Sequence, residues 1–179
     1  MRKLIAVGAL ALAASLATPE DGEAQRLQRR GYIGAGGGLG IPSGQFGTDA
    51  SVGWLGHLFG GYTTRGGLWG VRLDGTVGKN SLGPGSSFWL GGGTVNAVLT
   101  PGHRPANFHP YFMAGAGPYY VNSTDGSGEV AVGLNGGAGV QLHLGHQTDI
   151  FLEGRFLTIR ADRAVNLVPI TVGFRWGGI

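Results

Sequence analysis

The sequence predicts an all-β fold, an eight-stranded antiparallel up-and-down transmembrane β-barrel. Three observations carry that expectation. An apolar run that reads as an export signal opens the chain. Behind it, segments near ten residues long alternate apolar with polar or small residues, and aromatic residues gather at segment ends. The closing segment is the clearest. Val168, Ile170, Val172, Phe174 and Trp176 fall on one face at a period of two, and Pro169, Thr171, Gly173 and Arg175 on the other.

The elements follow in order. Arg2 and Lys3 precede an apolar run from Leu4 to Leu16, shorter than the ~20 residues a spanning helix needs, which marks residues 1–24 as a cleaved signal peptide. Cleavage after Ala24 is favoured, with Ala17 as the alternative site. Residues 25–30 form a periplasmic lead-in carrying Arg26, Arg29 and Arg30, and residues 31–179 form one barrel domain. Eight strand-like segments run roughly 31–40, 53–62, 68–76, 88–99, 109–120, 130–144, 148–157 and 167–176. Most are near the ~9–11 residues of a tilted spanning strand; the sixth is longer and projects beyond the bilayer. Longer polar links (Ile41–Val52, Val77–Ser87, Val121–Glu129, Thr158–Asn166) alternate with links expected on the periplasmic side. Of the latter, Thr63–Gly67 and Gly145–Gln147 are short, and Thr100–Phe108 is the exception.

Composition narrows the class. Cysteine is absent, which excludes disulfides, thiolate metal sites and a cysteine nucleophile. Charged residues are 13% of the chain, against ~25% in soluble domains, and glycine reaches 38 of 179 residues. The formal charge of +3 is modest, with Arg26, Arg29 and Arg30 supplying much of it before the first strand and no basic patch within the fold, so no nucleic-acid partner is expected.

The direction of the faces decides between two barrels. A lipocalin-like carrier would show water its polar face. In the sixth segment that face reads Glu129, Ala131, Gly133, Asn135, Gly137, Gly139, Gln141 and His143, too poor in charge for a soluble surface. The inverse puts Val130, Val132, Leu134, Ala138, Val140, Leu142 and Leu144 against lipid. Trp54 and Trp89 then mark the outer headgroup level and Trp69 and Trp176 the inner. Tyr32, Tyr62 and Tyr111 join the inner girdle, and Tyr119 and Tyr120 the outer. Arg72, Asp74, Glu153, Arg155 and Arg175 face inward as one buried charge network. Charges in a narrow lumen must be paired, so a salt-bridged plug is the expectation and a polar conduit the alternative.

Residues 31–176 resemble the small outer-membrane β-barrels grouped with the OmpA transmembrane domain and the opacity proteins. The likeness is carried by the signal segment, by the glycine-rich Tyr32–Gly38, by His109–Gly117 and by Ile170–Trp176. It implies a bacterial outer-membrane protein with lipid and the barrel-assembly machinery as partners. Relatives often end on an aromatic residue, whereas here Gly177-Gly178-Ile179 follow Trp176.

The chemistry-bearing motifs are thin. Gly34 and Gly36 do not begin a Gly-x-Gly-x-x-Gly motif because position 39 is Leu, and Gly78-Lys79 lacks the upstream glycine of a P-loop. No Gly-x-Ser-x-Gly elbow occurs, and no histidine among His57, His103, His109, His143 and His146 has the serine two residues on that lipid A deacylases carry. His143 and His146 fall on opposite faces and make a poor metal pair. No catalytic residue, metal or cofactor is therefore expected. The sequence leaves three readings: a structural or surface-interaction barrel, a narrow porin-like channel for ions or small solutes, and a periplasmic lipocalin-like carrier of an apolar ligand. In the first, the outer links present Phe46, Asp49, Lys79, Asn80, Asp125, Arg160, Asp162 and Arg163 to an extracellular ligand.

Overall fold

The computed structural model describes residues 30–64, 67–83, 85–101, 108–123, 128–145, 147–161 and 164–177. The proposed signal peptide and most of the lead-in lie outside the described residues. So do His103, Asp125, His146, Asp162, Arg163, Gly178 and Ile179.

The strands are β1 (Arg30–Ser43), β2 (Gly53–Thr63), β3 (Trp69–Gly83), β4 (Ser86–Leu99), β5 (Phe108–Ser123), β6 (Glu129–Gly145), β7 (Thr148–Arg160) and β8 (Val165–Gly177). One helical turn, α1 (Phe46–Asp49), sits between β1 and β2. Each strand pairs antiparallel with the next, and β1 closes the sheet on β8 from Tyr32↔Gly177 to Ser43↔Asn166. Closure satisfies every strand edge, which a bilayer demands because lipid offers no hydrogen-bond partner.

Alternation fixes the faces. In β3, Val71, Leu73 and Val77 are exposed while Arg72, Asp74 and Thr76 are buried. In β8, Ile170, Val172, Phe174 and Trp176 point out, and Leu167 and Thr171 point in. From Trp69 to Lys79 on β3, ten steps of ~3.3 Å with a tilt near ~40° span about 25 Å, the height of a lipid-facing apolar band.

The strands run further outward than the alternation suggests, so the expected long links shrink. Val77–Ser87 is mostly ladder: β3 continues to Gly83, β4 begins at Ser86, and only residues 84 and 85 join them. Gly83 (φ 122°) and Gly85 (φ 80°) adopt the left-handed backbone this tight reversal needs. Likewise β5 extends to Ser123, β7 to Arg160, and β8 begins at Val165. The reason is burial. Above the apolar band the inward positions still have something to cover, Asn80 being buried and Leu82 packing on the luminal core.

Candidate functional site: a filled lumen between two aromatic girdles

Four charges close the middle of the lumen. Arg72 and Asp74 are two apart on β3, so both point inward; Glu153 and Arg155 do the same on β7. In a ring of eight, β3 and β7 stand opposite each other, so the two pairs meet across the barrel. Arg72 donates from Nε (2.9 Å) and Nη2 (2.8 Å) to the two oxygens of Asp74, and from Nη1 to Glu153 Oε2 (2.9 Å). Arg155 donates to Asp74 Oδ1 (2.7 Å) and, from Nε, to Glu153 Oε1. The result is a neutral ring of alternating charge, with each carboxylate bound by both guanidinium groups. Asn96 Nδ2 adds a bond to Asp74 (2.7 Å), Tyr111 Oη adds one to Glu153 Oε2 (2.6 Å), and Arg72 stacks 4.3 Å from the Phe59 ring centroid. Buried charges persist only when paired and bonded in this way.

Arg175 does not join this ring. It lies nearer the mouth where β1 begins and β8 ends, with its guanidinium 4.0 Å from the Tyr32 ring centroid, donating to Gln141 and 3.9 Å from Asp149. Asp149 also contacts His143 Nδ1 at 2.8 Å. The five charges expected as one network are a quartet and a separate mouth cluster. The cause is height: Arg175 on β8 pairs with Gly34 and Asp149 near the strand ends, whereas Glu153 pairs with Thr171.

Above the quartet the lumen is apolar. Phe88, Leu90, Tyr119, Val121, Leu157, Ile159, Val165 and Leu167 form a buried cluster, and Phe46 from α1 tips in against Phe88 with ring centroids 5.0 Å apart. Between this plug and the quartet a cavity of about 10 Å³ is lined by His57, Thr76, Asn135, Arg155 and Thr171 among others, room for about one water. Below the quartet lie Tyr32, Phe59 and Phe151, and Val98 with Tyr111 and Met113.

The girdles are simpler than expected. Trp54, Trp69, Trp89, Trp176, Tyr62 and Tyr120 are exposed on the outside wall. Trp54 and Trp89 meet edge to face at 5.9 Å, and Lys79 Nζ sits 4.9 Å from the Trp89 centroid. Tyr111 and Tyr119, expected in the girdles, are buried inside the barrel, as is Tyr32. The missed signal was parity. Tyr111 precedes exposed Phe112 and Tyr119 precedes exposed Tyr120, and neighbours on a strand cannot share a face. Two loop expectations also change: Phe46 turns into the mouth, and Asn80 is buried, donating to Gly40 O (2.8 Å) and Ser51 O (3.0 Å).

Among the described residues no group of three or more His, Asp or Glu side chains could hold a metal ion.

This architecture is that of the small outer-membrane β-barrels. No family model matches the chain, and no curated protein matches it in sequence. Solved structures do. Neisserial surface protein A is 20% identical with a TM-score of 0.69, the match covering 82% of this chain and 96% of that one. The N-terminal β-barrel domain of Pseudomonas aeruginosa OprF is 14% identical with a TM-score of 0.50, over 84% of this chain and 100% of that one. At these identities the likeness establishes the fold: an eight-stranded antiparallel barrel of the outer-membrane type.

Proposed function

We propose that this chain is a non-enzymatic barrel of the bacterial outer membrane, exported by residues 1–24 and inserted by the barrel-assembly machinery. Its role is structural or in surface interaction rather than in transport. The observation that carries this reading is the doubly closed lumen, with the Arg72–Asp74–Glu153–Arg155 ring below and the Leu167–Ile159–Phe88 plug above. A porin-like channel needs a continuous aqueous path, and the space beside the quartet holds about one water. A lipocalin-like carrier needs a hollow apolar interior and a polar wall; here the interior is filled and the wall carries Leu58, Leu73, Val95, Phe112 and Leu152 exposed. Extracellular recognition would fall to the segment around α1, the longest described outer connection.

Envelope fractionation followed by denaturing gel electrophoresis, with and without boiling, tests the reading. The account expects the chain in the outer-membrane fraction with a mobility shift on heating. A soluble periplasmic protein without a shift would overturn it.

A further inference from the structure

The buried polar groups that the charge ring does not use gather in one part of the lumen. Among the described residues, seven buried side-chain nitrogen or oxygen atoms find no hydrogen-bond partner in the protein. Four of the seven belong to three residues: His57 (Nε2), Asn135 (Nδ2 and Oδ1) and Thr171 (Oγ1). All three line the cavity of about 10 Å³ between the ring and the plug. Each is more than nine-tenths buried, at 5%, 8% and 2% exposure. A buried imidazole, amide or hydroxyl left unpaired loses its hydration without return, so four such atoms around one space require a partner from outside the chain.

The three residues reach the cavity from separate walls. His57 is on β2, Asn135 on β6 and Thr171 on β8, and in a ring of eight β2 and β6 stand opposite each other. The imidazole is held in place. It packs against Phe59 and Phe151, with ring centroids 5.5 Å and 5.7 Å away, and a Cβ at Gly36 would stand only 3.3 Å from its Cε1.

Size and charge choose the occupant. The volume admits about one water. Arg155 lines the same space and opposes a cation there. Its own charge is already met by Asp74 and Glu153, which leaves nothing to hold an anion. The unpaired atoms include a donor in Asn135 Nδ2, an acceptor in Asn135 Oδ1 and a hydroxyl that serves as either. A small neutral molecule that both donates and accepts suits all of them.

We propose that this cavity is a binding site for a single water molecule, bonded to His57 Nε2, Thr171 Oγ1 and one end of the Asn135 amide. Three partners are the usual number for a buried water. The site gives the lumen a second cross-brace, from β2 to β6 through water, beside the β3 to β7 brace of paired charges. It rests on the closed-lumen reading above, since the two closures keep one molecule apart from bulk water.

A crystal structure of the wild-type mature chain, at a resolution that shows ordered water, tests the site. The expected result is one density peak within hydrogen-bond distance of at least two of His57, Asn135 and Thr171. A cavity without density, or the three groups turned to bond one another, overturns the proposal. A file of waters running past Arg72 and Glu153 would overturn the closed lumen, and the isolated site with it. Urea unfolding from lipid vesicles gives a second readout. With water bound, Thr171→Val takes away one of its partners without changing the shape of the side chain, so the urea midpoint should fall by about 0.5 M. Were the hydroxyl without a partner, the same change would remove an unmet polar group, so an unchanged or raised midpoint overturns the proposal. Gly75→Ala, outward on β3, is the control and should leave the midpoint in place. Should Thr171→Val fail to fold, the wild-type crystal structure decides.

Discussion

The part of the barrel inside the apolar band and the part above it are built by opposite rules. Within the band, β3 points Val71, Leu73 and Val77 outward and Arg72, Asp74 and Thr76 inward. Above it, β7 and β8 point Thr158, Arg160 and Asn166 outward and Leu157, Ile159, Val165 and Leu167 inward. The same strands are inside-out in lipid and ordinary in water. The lumen is consequently closed twice by different physics: paired charges at mid-height, and plain hydrophobic burial at the mouth.

That contrast fixes how each region should fail. The largest loss is expected in the quartet. Glu153→Gln leaves Arg72 and Arg155 sharing one carboxylate, and an uncompensated buried charge costs about 3–5 kcal/mol. Urea unfolding from lipid vesicles measures it. Combining Glu153→Gln with Arg155→Gln removes one charge of each sign, so the double variant should lose less than the two single losses together. Strict additivity would mean that the four side chains do not act as a ring.

The plug should respond by size rather than by charge. Leu167→Ala deletes a fully buried side chain and is expected to cost about 3 kcal/mol in the same assay, with no dependence on salt. The smallest effects separate inward from outward glycines. A Cβ at Gly139 would lie 2.5 Å from Tyr111 Cζ, displacing the ring whose hydroxyl bonds Glu153, so Gly139→Ala should cost about 1–3 kcal/mol. Outward Gly75 has nothing within 4 Å of the same position, and Gly75→Ala should stay within about 0.5 kcal/mol of wild type.

The two regions were unequally legible in the sequence. Inside the band, one apolar and one polar face per strand left a single consistent orientation, which puts Arg72, Asp74, Glu153 and Arg155 in the lumen by parity alone. The separation of Arg175 from the other four was not legible, because it depends on which strands stand opposite after closure and at what height each charge then lies. Above the band the rule that apolar residues face lipid breaks down. Leu157 and Leu167 were readable as inward by parity, but the stretch between them reads as a polar link from Thr158 and Arg160 outward. The girdles failed where a residue type was weighed without its parity: Tyr111 and Tyr119 are aromatic residues near strand ends, yet each stands next to another aromatic that already occupies the lipid face.

The central claim is that both closures hold in the native barrel. Single-channel recording of the folded wild-type chain in a planar bilayer tests it most directly. The account predicts no steady conductance above the bare bilayer. A stable open level in wild type would contradict it, and would place a continuous water path where the quartet and the plug now stand.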